Sequence, residues 1–92
     1  MWYTIHMKII KYKLELIEDQ IIDVPAGSVI LDIQLQHADD VVMWVWGDET
    51  QPLVSRQLKA AEDDGEVSGN IRYVATVQTQ LVKNTYHFFE KV

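Results

Sequence analysis

Apolar and polar residues alternate with a period of two along most of this chain, the pattern of strands that bury one face and leave the other in water. Three runs show it most clearly, at 10–16, 29–36 and 71–78. The apolar sets that share one face in this pattern are Ile10, Tyr12, Leu14 and Leu16; Val29, Leu31, Ile33 and Leu35; and Ile71, Tyr73, Ala75 and Val77. The chain is therefore predicted to consist of half-buried strands.

Turn residues divide these strands into hairpins. Pro25 and Gly27 stop the short strand before them, because proline fixes φ and glycine tolerates a positive φ. An antiparallel hairpin is predicted over 28–47, and a second one is predicted to join 70–79 to the closing strand of the chain.

The middle of the chain completes the prediction. The stretch 54–62 has residues that suit a helix turn or two, but the alternation over 53–58 favours a strand, and 61–70 is predicted to be a polar loop. We expect an all-β fold of about six or seven short strands, as one compact antiparallel sandwich or small barrel. A chain of 92 residues is long enough for one such domain.

Residues 7–92 are predicted to form this single β domain, whereas residues 1–6 have two interpretations. Met7 is a second candidate start, so 1–6 is either an N-terminal extension or a short strand built from Trp2, Tyr3 and Ile5.

The run VVMWVWG at 41–47 differs from the other strands because both of its faces are apolar. Val42, Trp44 and Trp46 point to one side and the alternate residues to the other. This strand is predicted to be either a central strand covered on both sides or a surface that meets a partner. Since so short a chain has little material for a second cover, we expect a homo-oligomer, most simply a dimer.

Composition excludes several classes of function. The chain has no cysteine, so it has no disulfide, thiolate nucleophile or cysteine-bound metal. Its net charge of −6 opposes binding to double-stranded nucleic acid, because that affinity comes largely from cationic side chains. No apolar run approaches the roughly 20 residues of a membrane span, and the first residues lack the features of a signal peptide. An intracellular protein that binds no membrane is expected.

Short motifs along most of the chain carry a resemblance. They are a Glu/Asp-Gln pair, a Pro-x-Gly turn, a strand that ends in Gln-x-Gln, a tryptophan strand and a C-terminal His-x-Phe-Glu. The matching positions are Asp19, Gln20, Pro25, Gly27, Gln34, Gln36, Trp44, Arg56, Thr76, His87, Phe89 and Glu90. The chain resembles a family of small uncharacterised tailed-bacteriophage proteins. It departs from that family after the arginine strand, where AAEDDGE replaces a Gly-Thr-Gly-His-like loop, so no function of that loop carries over.

No residue pattern points to catalysis, a metal or a cofactor. His6, His37 and His87 lie far apart in sequence, without the close spacing of metal ligands. The run EDDGE lacks the oxygen spacing of a calcium loop, and no Gly-x-Ser-x-Gly or glycine-rich phosphate loop occurs. We expect a protein that is not an enzyme.

Five residues are candidates for a ligand site. Trp44 and Trp46, about 7 Å apart along one strand face, could flank a flat group. Arg56 could bind a phosphate or carboxylate, and Thr76 and His87 are polar residues among aromatic and β-branched neighbours. Such a site suits a nucleotide-like ligand. The structural alternative is that the tryptophans belong to the core or a dimer interface, Arg56 pairs with an acid and His87 is a satisfied core histidine.

Two functions follow from the resemblance and these residues. The first is a phage accessory protein in the host cytoplasm that binds a host protein or a nucleotide-like signal, without catalysis, to counter a bacterial defence. The alternative is a structural or morphogenetic phage protein that forms a homo-oligomer.

Overall fold

A computed structural model describes residues 6–81 and 83–92 of the chain. These residues form seven strands and no helix. The strands are β1 (Lys8–Leu14), β2 (Asp19–Pro25), β3 (Val29–Leu35), β4 (Val41–Gly47), β5 (Leu53–Glu62), β6 (Ile71–Gln78) and β7 (Thr85–Lys91). The predicted strand at Trp2, Tyr3 and Ile5 lies outside the described residues.

The strands form two antiparallel sheets that pack as a sandwich and do not close into a barrel. The three-stranded sheet has the order β1-β4-β3, and the four-stranded sheet has the order β2-β5-β7-β6. The all-β prediction is confirmed, as are the predicted hairpins, which are β3 with β4 and β6 with β7. The segment that could have been a helix is strand β5.

The core lies between the two sheets. Its central side chains come from the middle strands β4, β5 and β7, where Met43, Leu58 and Phe88 are almost fully buried. Burial of a side chain of this size contributes about 1.5–3 kcal/mol, so these strands supply much of the folding free energy.

No helix within the described part of the chain has the length and apolar character needed to cross a lipid bilayer.

Two β-bulges correct the predicted strand faces. One extra residue in β3, Leu31, and one in β6, Val74, interrupt the pairing with β4 and β7. A bulge moves every later side chain to the opposite face. Val29 therefore lies on the outer face although Ile33 is buried, and Tyr73 points outward although Ala75 is buried. The predicted common face holds only after each bulge.

A close approach between the sheets occurs where β4 ends. A Cβ atom at Gly47 would collide with the buried Ser28 side chain, whose hydroxyl donates to the Pro25 carbonyl. Ser28 ends the turn that contains Gly27 at φ +78°, the positive value predicted from the sequence. This turn joins β2 of one sheet to β3 of the other.

Candidate functional site

The outer side of the three-stranded sheet carries both predicted tryptophans. We call it the tryptophan face, and it consists of three rows that each cross the strands in the order β1-β4-β3. The rows are Ile9–Trp46–Val29, Lys11–Trp44–Asp32 and Lys13–Val42–Gln34. The inward side chains of β4 are Val41, Met43 and Val45, which are buried. The apolar strand therefore has one face in the core and the other on the molecular surface.

Cover on the tryptophan face decreases along β4. Val42 is buried, Trp44 is half-buried and Trp46 is exposed. The Lys11 ammonium donates to the Gln36 amide oxygen at 3.4 Å, and this bond crosses β4 from β1 to the end of β3. Long polar side chains thus cover one end of the face, because their aliphatic stems can lie on apolar surface. At the other end, the apolar side chains around Trp46 are exposed.

Arg56 lies at the rim of the core in a cluster with Arg72 and Glu90. Its Nε and Nη2 both donate to the Glu90 carboxylate, the latter at 2.9 Å, and its Nη1 donates to the Ser28 carbonyl at 2.9 Å. Arg72 Nη2 donates to the same carboxylate at 2.6 Å. Because Ser28 leads into the other sheet, this Glu90 cluster ties the two sheets together at one end.

Glu90 is the buried member of this cluster, with 3% of its side chain exposed. Burial raises the pKa of its carboxyl, but the hydrogen bonds and charges of Arg56 and Arg72 outweigh burial and lower the pKa below 4.5. The hydrogen bond to Glu90 raises the pKa of Arg56. The Arg56 guanidinium is therefore already bound to an internal anion, as the structural alternative from the sequence predicts.

Thr76 and His87 lie on the outer side of the four-stranded sheet, directly opposite one another on β6 and β7. His87 Nδ1 is 3.0 Å from the Thr76 hydroxyl, and its Nε2 is 2.7 Å from Asp63 Oδ1. The Thr76 hydroxyl is also 2.8 Å from the Tyr73 hydroxyl. This His87 network fastens the loop after β5 to the sheet. His87 is satisfied, but it is a surface residue and not a core residue.

The His87 network borders an open cavity of about 370 Å³ between the sheet and the loop. Its apolar lining includes Phe89, which meets Tyr73 edge to face with ring centroids 5.8 Å apart. Its acidic lining consists of Asp63, which binds His87, and of Glu62 and Asp64, which pair with no cation within the described residues. The cavity combines an aromatic wall with unpaired negative charge.

The five predicted site residues do not form one pocket within a single chain. Trp44 and Trp46 lie outside the three-stranded sheet, Arg56 lies at the rim of the core, and Thr76 with His87 lie outside the four-stranded sheet. The prediction grouped these residues by their chemistry, whereas the sandwich separates its two outer faces by the thickness of the core. A nucleotide-like ligand cannot contact all five in one copy.

Several residues of these sites were missed at the sequence level. Arg72 and Asp63 carried no signal, because each acts through a partner that is distant in the chain. Glu90 was noted only through the resemblance. A polar residue in the inward series of β7, two places after the buried Phe88, was the available sign that Glu90 needs a buried partner. No group of three or more metal-ligating side chains occurs within residues 6–81 and 83–92.

The family assignment rests on a match that spans nearly the whole sandwich. Residues 6–92 match the model of a domain of unknown function, DUF7352. The chain belongs to the DUF7352 family. The matched range contains every strand of both sheets, so the DUF7352 domain and the sandwich coincide. No curated protein and no solved structure matches the chain.

Proposed function

We propose that this DUF7352 chain is a small phage accessory protein that binds a host protein in the host cytoplasm and catalyses no reaction. Its phage origin is supported by the resemblance of its motifs to those of small tailed-phage proteins. We propose that the bound host protein belongs to a bacterial defence, which this chain counters by binding.

The observation that carries the proposal is the preformed cavity beside His87. The contact between His87 Nε2 and Asp63 holds its loop to the sheet, and Thr76 on β6 contacts the other ring nitrogen, so the chain forms this cavity by itself. Preformed concave sites with an apolar lining and few polar groups are typical of binding surfaces. A volume of about 370 Å³ suits one or two side chains of a partner.

The chemistry of the cavity selects the kind of partner. Glu62 and Asp64 line the same cavity as Phe89, and neither pairs with a cation within the described residues. An aromatic surface with nearby carboxylates favours a lysine or arginine side chain, which gains both ion-pair and cation–π energy. A nucleotide phosphate would be repelled there. This favours the host-protein form of the function over the nucleotide form.

A titration followed by backbone amide NMR tests this function with two probes, a blocked arginine dipeptide and adenosine monophosphate. We expect the dipeptide to shift the amides of Ile71, His87 and Phe89, and the nucleotide to leave them unchanged. Glu62→Gln should weaken the dipeptide shifts. Glu15→Gln, an equal loss of charge at an exposed position away from the cavity, should not. Shifts with the nucleotide alone would contradict the proposal.

The alternative, a structural phage protein that forms a homo-oligomer, is favoured by a different observation, the exposed apolar end of the tryptophan face. Mass spectrometry of purified virions distinguishes the two functions. An accessory protein is present in infected cells and absent from virions, whereas a morphogenetic component stays in the particle.

A further inference from the structure

The end of the tryptophan face at Trp46 is an apolar patch that no described residue covers. Trp46 is 44% exposed, and its neighbours in the same cross-strand row, Ile9 and Val29, are 61% and 47% exposed. Leu31, at the bulge beside them, is 47% exposed. Single exposed apolar residues are ordinary, but a contiguous row of them indicates an interaction surface.

The next row adds charge in a definite arrangement. Lys11 lies on β1 at one edge, Asp32 lies on β3 at the other edge, and Trp44 lies between them. Lys11, whose ammonium also reaches Gln36, makes the β1 edge positive. Asp32, whose carboxylate also accepts from Gln34, makes the β3 edge negative. A partner surface that fits the face must carry the opposite order of charges beside an apolar row.

We propose that a second copy of this chain covers the tryptophan face, related by a two-fold axis that runs parallel to β4 in the plane between the copies. This rotation exchanges the two edges of the face. Lys11 then meets the partner's Asp32, and Ile9 meets the partner's Val29. Trp46 lies against the partner's Trp46. The face is complementary to itself in both charge and apolar character.

The charge pattern also rejects the other simple face-to-face arrangement. A two-fold axis perpendicular to the strands places β1 on the partner's β1. Lys11 and Lys13 then approach the same lysines of the partner, and like charges across an interface are unfavourable. Only the axis parallel to β4 pairs opposite charges along both edges.

The size of the face sets the expected strength of the dimer. Three seven-residue strands cover about 15 Å by 23 Å, so each copy contributes roughly 350 Å² in projection and somewhat more in accessible area. The total is near the lower limit of about 1,000 Å² for a specific interface. We therefore expect a dimer with a dissociation constant in the micromolar range.

Sedimentation velocity over a wide range of concentrations measures this dimer with a matched pair of variants. Ile9→Ser removes an apolar contact from the tryptophan face, and Ile21→Ser removes one from the outer side of the opposite sheet at a similar exposure of 65%. We expect Ile9→Ser to raise the dissociation constant about tenfold or more, because the dimer loses two such contacts. Ile21→Ser should leave it unchanged. A monomeric wild type at high concentration, or the reverse order of the two variants, overturns the proposal.

Charge reversal tests the axis. Lys11→Asp alone and Asp32→Lys alone should each weaken the dimer, because each places like charges opposite one another at both edges. The double variant restores opposite charges across the interface and should recover most of the affinity. Circular dichroism and urea unfolding of each variant establish that the sandwich is intact. A double variant that folds but dimerises no better than the singles overturns the two-fold arrangement.

The apolar residues that precede β1 in the sequence, Trp2, Tyr3 and Ile5, require one more arm of the experiment. A chain that starts at Met7 should dimerise as the full chain does, since the interface consists of β1, β3 and β4. Loss of the dimer in this shorter chain overturns the proposal. The His87 cavity lies on the other sheet, so its titration succeeds or fails independently of this result.

Discussion

The two outer faces of the sandwich differ in how many of their side chains have partners within the chain. On the four-stranded sheet, Tyr73, Thr76, His87 and Asp63 form a continuous set of hydrogen bonds. On the three-stranded sheet, apolar side chains around Trp46 are exposed next to charges at opposite edges. Hydrogen bonds within the chain organise the first face, whereas the second would gain cover from the proposed dimer. The two proposals therefore assign binding to one face of the sandwich and assembly to the other.

The largest loss of stability is expected at the Glu90 cluster, which holds the two sheets together. Glu90→Ala removes the acid that Arg56 and Arg72 share and leaves Arg56 at the rim of the core without its ion pair. Loss of one partner from a buried pair costs about 3–5 kcal/mol, and we expect about 3 kcal/mol because Arg56 retains some contact with water. Urea unfolding measures this loss. Glu66→Ala, in the exposed loop, should have little effect.

Low pH should gradually remove the stabilisation that the Glu90 ion pairs give to the folded state. Because the folded-state pKa of Glu90 is lower than its ordinary value of 4.5, its stabilisation is complete above that value. It is lost as the pH falls through the folded-state pKa. Glu90→Gln lacks this titration. The difference in unfolding free energy between wild type and Glu90→Gln should therefore narrow below pH 4.5, and a constant difference down to low pH would contradict the ion-pair role.

At the apolar end of the tryptophan face, Gly47→Ala should cost about 1–3 kcal/mol, because its Cβ would displace the Ser28 hydroxyl from its buried hydrogen bond. Urea unfolding in two backgrounds tests the cause. Gly47→Ala should cost less when Ser28 is already alanine, since the hydroxyl that blocks the Cβ is then absent. An equal cost in both backgrounds would show that the strain lies elsewhere.

The sequence predicts the parts of the fold that depend on interactions between residues close together in the chain. The strands and both hairpins are encoded in periods and turn residues within short segments, so they were predicted. The bulges at Leu31 and Val74 were not, because three consecutive apolar residues, at 29–31 and at 73–75, do not show which residue is the extra one.

The sites depend on longer-range pairing. Arg56 and Glu90 meet only because β5 pairs with β7, two strands that are not consecutive in the chain. Asp63 reaches His87 from the loop in which this chain departs from the family it resembles, so that resemblance gave no guide to it.

The outer side of the four-stranded sheet should lose stability when His87 is replaced. His87→Ala removes the hydrogen bonds to Thr76 and Asp63, and since both are partly exposed we expect a loss of about 1 kcal/mol. Amide hydrogen exchange should increase in the loop 63–70 and remain unchanged in β1 and β4. His37→Ala, on the exposed turn before β4, is the matched control and should change neither region.

The smallest expected loss of stability comes from variants that distinguish the contribution of the Tyr73 hydroxyl from that of its ring. Tyr73→Phe removes the hydrogen bond to Thr76 but keeps the ring in its edge-to-face contact with Phe89, so we expect a loss of about 0.5 kcal/mol in urea unfolding. Tyr73→Leu should cost more, because it also removes the aromatic pair. If Tyr73→Phe instead costs as much as Tyr73→Leu, the ring contributes little and the hydroxyl is the main support of this face. The cavity would then depend on hydrogen bonds alone, and its affinity for a cationic side chain should fall in parallel in the two variants.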